Sequence, residues 1–150
     1  MATHSFPTPY GALEKKIETS FGKIPVDLIG QFLVDARESF PNEFGAWLIW
    51  DDRSKQLRYQ AMHSIEAGPA YLAAIRPDLE DHESLAVNLH SHARLKAFFS
   101  SEDNRDDRHE VKISGVIGSL DKDQPTAAFR ICTGGVFIDL DVQNLLPTLR

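Results

Sequence analysis

The run Ser84 to His92, SLAVNLHSH, constrains the fold more than any other stretch of this chain. Its apolar residues alternate and are dense enough for a strand in the centre of a sheet, yet it ends in two histidines two positions apart. Side chains at i and i+2 of a strand leave the same face, so both imidazoles can meet one ion. Ser100 and Asp103 follow at the start of a charged stretch, 101–108, that reads as the solvated face of a helix. The strand thus runs into a helix, and the chain combines both kinds of element.

The remaining elements fit around that strand. One domain, 1–150, accounts for the length, with 1–25 as a Pro- and Gly-containing lead-in. Asp27 is a candidate N-cap for an amphipathic helix with Ile29, Phe32, Leu33, Ala36 and Phe40 on its apolar face, stopped by Pro41. Ala46 to Trp50 and Leu57 to Ile65 read as a β-hairpin across the turn 51–56. Residues 66–83, with Gly68-Pro69 and Arg76-Pro77, read as a loop containing at most a turn of helix. Val111 to Leu120 and Thr126 to Thr133 form a second hairpin across 121–125.

Composition removes several functions. No segment approaches the 18 or more apolar residues of a bilayer crossing, and the start lacks the order of a signal peptide, so no membrane partner and a cytoplasmic location are expected. The 16 Lys+Arg against 22 Asp+Glu give a net charge of −6 without a basic stripe, which argues against nucleic acid. A single cysteine, Cys132, excludes a disulfide framework and metal sites built of thiolates, so a metal here must bind nitrogen and oxygen. Cys132 itself reads as a small buried group.

Two histidines and a carboxylate are a hydrolytic zinc set: three protein ligands leave the fourth tetrahedral position for a water whose pKa falls towards roughly 7. Such chemistry also needs a base and an oxyanion donor. Glu43, between the first helix and the aromatic strand, is the best-placed base, with Glu38 the nearest alternative, and Ser100 offers the hydroxyl. Other metal signatures fail, since His82-Glu83 and His109-Glu110 are not followed by a second histidine three residues on, and one cysteine cannot build a zinc deaminase site. The remaining histidines, His4, His63, His82 and His109, read as surface or satisfied residues, and Trp47 and Trp50 as core. For Asp106, a partner that orients the ligand histidines and a solvated position stand level; Asp107 reads as solvated.

His90-x-His92, seven residues, Ser100, two residues and Asp103, with Glu43 upstream, resembles the motif of the JAMM (MPN+) zinc metalloproteases, the isopeptidases that remove ubiquitin and ubiquitin-like proteins. Ser and Asp at those offsets from a His-x-His pair arise by chance on the order of 10⁻³ per chain of this composition. The resemblance implies an α/β JAB/MPN fold, a mixed sheet flanked by helices and related to the cytidine deaminase architecture, with zinc on His90, His92 and Asp103, Glu43 as base and Ser100 as oxyanion donor. The words Ala97-Phe98-Phe99-Ser100 and Lys112 to Gly118 are similar to the bacterial branch, which includes PRTRC system protein A and the deubiquitinase-like proteases of ubiquitin-like conjugation operons. The implied activity is cleavage after the C-terminal tail of a ubiquitin-like protein, with activating and conjugating enzymes of the same operon as possible partners. A catalytically silent binding module and a small-substrate metallohydrolase are the alternatives. Many family members carry Gly at the third and seventh positions after the base, where this chain has Ala46 and Trp50.

Overall fold

The computed structural model describes residues 24–68 and 71–141, so most of the lead-in lies outside the described residues. Helix α1 spans Val26–Ser39 and buries Ile29, Phe32 and Ala36. Pro25 occupies the N-cap with no side-chain cap bond, so the sequence reading of Asp27 as the cap is corrected. Proline pre-sets the φ angle that starts a helix, and Asp27 falls inside the first turn, where its charge complements the helix dipole. Phe40 and Pro41 end the helix as expected.

Six strands form one mixed sheet in the order β2-β1-β5-β6-β7-β8. Strands β1 (Gly45–Asp51) and β2 (Gln56–Ala61) are the first hairpin, paired antiparallel with Leu48 opposite Tyr59. Asp51 shapes the turn by accepting the N–H groups of Arg53 and Ser54. Tyr59 donates to Asp35 at 2.7 Å and ties the hairpin to α1. The strand expected to run to Ile65 breaks at Met62, whose N–H donates back to the Gly45 carbonyl. Beyond it β3 (His63–Gly68) and β4 (Tyr71–Ile75) pair as a separate two-stranded sheet, which corrects the reading of 66–83 as a loop. Gly68 pairs with Tyr71, and the run Tyr71–Ile75 is the return strand.

Strand β5 (Glu83–Ser91) lies between β1, antiparallel to it, and β6 (Val111–Gly118), parallel to it. A parallel pair needs a crossover, and that crossover carries the loop 92–100 and helix α2 (Ser101–Asp107). Strand β7 (Thr126–Thr133) completes the second hairpin, and β8 (Val136–Leu140), which the sequence reading passed over, pairs on its far side. Gly134 and Gly135, at φ +56 and +88, make the turn between them, a conformation that two glycines reach without strain.

Alternation assigns the two faces. Ala46, Leu48, Val87, Leu89, Ile113, Ile117, Phe129 and Ile131 form one core cluster with Ile29, Phe32 and Ala36 of α1. The intervening positions, among them Trp47, His90, Lys112, Ser114 and Arg130, line the opposite face, where α2 lies. Among the described residues, no helix is long and apolar enough to cross a membrane.

Candidate metal centre

Both histidines come from the carboxyl end of β5, the end of an α/β strand where ligand sites form. His92 sits one residue past the strand, and its N–H donates to the Ile117 carbonyl at 2.9 Å, which keeps it in line with β6. The two rings consequently stay on one side of the sheet, with centroids 5.1 Å apart. The Phe98 ring meets His92 edge-on at 4.7 Å.

Helix α2 brings the carboxylate. Ser100 is its N-cap: the hydroxyl oxygen accepts the Asp103 N–H at 3.1 Å while Asp103 Oδ2 accepts the Ser100 N–H at 2.7 Å, a reciprocal capping box. The cap fixes the carboxylate so that Oδ1 stands 3.1 Å from His90 Nε2 and Oδ2 stands 3.7 Å from His92 Nε2. One ligand atom from each of His90, His92 and Asp103 lies within 4.8 Å of the others. His90 Nε2 is buried and has no aligned hydrogen-bond partner, and neither has His92 Nδ1. A buried nitrogen without a partner costs about 1–3 kcal/mol, and a cation among these three groups would remove that cost at His90. Two imidazoles and one carboxylate suit zinc. Burial disfavours the Asp103 anion, but His90, His92 and the Ser100 N–H outweigh it and hold the carboxyl far below the usual aspartate range.

Glu43 is 9% exposed and precedes β1, whose Gly45 lies opposite His90. Burial pushes its carboxyl above the ordinary glutamate value; Asp103 and Glu102 push the same way, and His90 and His92 oppose. Glu38 is exposed on α1. The bulk at Ala46 turns away from this group: Ala46 belongs to the α1-side core, and Trp50 lines a surface groove with Pro25, Leu28 and Leu57.

Helix α2 has no apolar residue, so its attachment is electrostatic. Asp107 is buried and meets Arg130 at 2.8 Å and Lys112 at 3.1 Å, while Asn104 accepts from Arg130 at 2.7 Å. The Arg130 guanidinium is stacked between Phe99 at 3.9 Å and Phe137 at 4.0 Å. Burial alone would raise the Asp107 carboxyl, but Arg130 and Lys112 bring it below its ordinary value. The sequence reading of Asp107 as solvated is therefore corrected, and Asp106 is the exposed neighbour. Lys112 and Arg130, charges inside otherwise apolar strand runs, were the available signal. Cys132 is buried, 3.8 Å from Ser114 Oγ, and burial raises its thiol pKa.

A second group, Asp51, His82 and Glu83, lies at the other end of β5. Arg58 already engages Glu83, and the turn N–H groups engage Asp51, so charge there is compensated within the protein.

Comparison with known proteins gives one family match, described as prokaryotic homologs of the JAB domain, over residues 25–132. No curated protein matches the chain. Among solved structures, its fold is similar to the solution structure of protein DSY2949 from Desulfitobacterium hafniense, at a TM-score of 0.58 and 15% identity over 77% of this chain and 86% of that one.

Proposed function

The chain belongs to the family of prokaryotic homologs of the JAB domain, and on that premise we propose that it is a zinc-dependent peptidase that cleaves after the C-terminal tail of a ubiquitin-like protein. The observation that carries the reading is the convergence of His90, His92 and Asp103 beside a buried Glu43. Zinc, when bound, would supply an acidified water and polarise the scissile carbonyl. The raised pKa of Glu43 brings it nearer the range in which a carboxylate both takes a proton from water and returns it to a leaving amine. Ser100 spends its oxygen lone pair on the α2 cap and keeps its O–H proton to donate to the oxygen on which negative charge develops. Activating and conjugating enzymes for the same ubiquitin-like protein are the proposed functional partners.

Purified protein should carry close to one zinc per chain by elemental analysis. Glu43→Gln should keep the metal and lose cleavage of a ubiquitin-like fusion, and His90→Ala should lose the metal. Binding of the fusion without cleavage by the zinc-loaded protein would replace the peptidase with a binding module, and cleavage of a free dipeptide at equal efficiency would make it a small-substrate hydrolase.

A further inference from the structure

We infer that Ser91, the residue between the two histidines, is a positioning residue for Glu43; the inference rests on the peptidase reading for its catalytic consequence and on geometry for its structural one. Ser91 is fully buried. Its side chain leaves the strand opposite to His90 and His92 and so contributes nothing to the metal. It works on the preceding segment of chain instead.

The antiparallel ladder between β1 and β5 reaches Gly45 opposite His90. The next pair is Phe44 with Ser91, and it is half regular. The Ser91 N–H donates to the Phe44 carbonyl at 2.9 Å, as a ladder requires. The Phe44 N–H donates at 2.9 Å to Ser91 Oγ, a side-chain atom in place of the Ser91 carbonyl. The hydroxyl therefore ends the ladder one residue after Glu43. Ser91 thus holds Phe44 at both polar groups, and Glu43, one residue earlier, lies within electrostatic reach of His90 and His92. The same bond crosses 47 residues of sequence, so it is the point at which the base-bearing segment is registered on the ligand-bearing strand.

Without the hydroxyl, the Phe44 N–H loses its acceptor and stays unpaired in a part-buried place, which loosens the segment that carries Glu43. Ser91→Thr keeps an oxygen at the same position; Ser91→Ala does not.

The test uses full-length protein and four readouts: zinc content, kcat and KM on a ubiquitin-like fusion, and hydrogen exchange of the Phe44 amide by NMR. Ser91→Ala should keep one zinc per chain, speed Phe44 exchange at least tenfold with Leu48 and Val87 unchanged, and lower kcat about 10- to 100-fold at a KM within twofold, as expected when catalytic geometry is lost. Ser91→Thr should restore Phe44 protection and most of kcat. Unchanged Phe44 exchange in Ser91→Ala overturns the inference whether or not the protein is a peptidase, and so does a kcat within twofold of wild type. Zinc-loaded wild-type protein that cleaves nothing refutes the peptidase reading, while the exchange comparison still decides the role of Ser91.

Discussion

Replacing Arg130 with methionine isolates the force that holds α2, and with it Asp103, over the sheet. The substitution keeps an apolar stem between Phe99 and Phe137 and removes the guanidinium that meets Asp107 at 2.8 Å and Asn104 at 2.7 Å. Removing one partner of a buried ion pair costs about 3–5 kcal/mol, because the remaining charge stays desolvated. Lys112 still faces Asp107 at 3.1 Å, which places the pair loss at the low end. With Arg130 buried, the lost cation–aromatic contacts are worth about 2 kcal/mol each, of which methionine's own contacts with the rings return up to about 1.5, so their net addition is small. The sum is about 3 kcal/mol. For a domain of this size each kcal/mol moves Tm by about 2–4 °C, so thermal unfolding of the metal-free variant should begin about 6–12 °C lower. Since α2 carries Asp103, one of the three proposed ligands, competition against a chelator should also show zinc affinity reduced about 10- to 100-fold. A metal-free Tm within 2 °C of wild type would refute the electrostatic account of the helix.

Two further perturbations test separate parts of the structure. Arg58 donates to Glu83, and with the Glu80 N–H it holds that carboxyl at about 2. A lowered native pKa stabilises above the unfolded value near 4.5 and is lost as pH falls towards 2, so the Tm gap between wild type and Arg58→Gln should be full at pH 7 and close between pH 4.5 and 2. A Cβ on Gly118 would collide with the Leu95 carbonyl and the Lys96–Ala97 backbone. Gly118→Ala should therefore displace the loop that sets Phe98 against His92, with a loss of about 1–3 kcal/mol in denaturant unfolding and weaker zinc binding.

How much of this was legible in the sequence depended on how local the signal was. The alternation in SLAVNLH gave β5, and the spacing from His92 to Asp103 gave a group of candidate ligands that the capping box and the strand end bring together. Glu43 stood out by its position between two elements, and it lies two residues before Gly45, which pairs with His90. The β3–β4 hairpin was not legible because Gly68-Pro69 is loop punctuation as well as a turn signal, and among the described residues the two strands pair with each other outside the main sheet. Asp107 was misread because a charged helix face is ordinarily solvated; its burial is decided by Lys112 and Arg130 in strands that follow it in the chain. Ser91 carries no signal in the sequence, because nothing local to a serine in a strand tells which distant backbone N–H its hydroxyl will meet.

The crossover between the parallel strands β5 and β6 also orders assembly in time. His90, His92 and Asp103 sit within one short stretch of chain on either side of the loop, whereas Glu43 reaches them only through a contact 47 residues long. Closing the short stretch costs little chain entropy, and closing the long one must wait for β1 to dock. Under the proposed function, the three candidate ligands would come together before Glu43 joins them, so metal binding would precede activity and no cleavage would occur while the sheet is still incomplete.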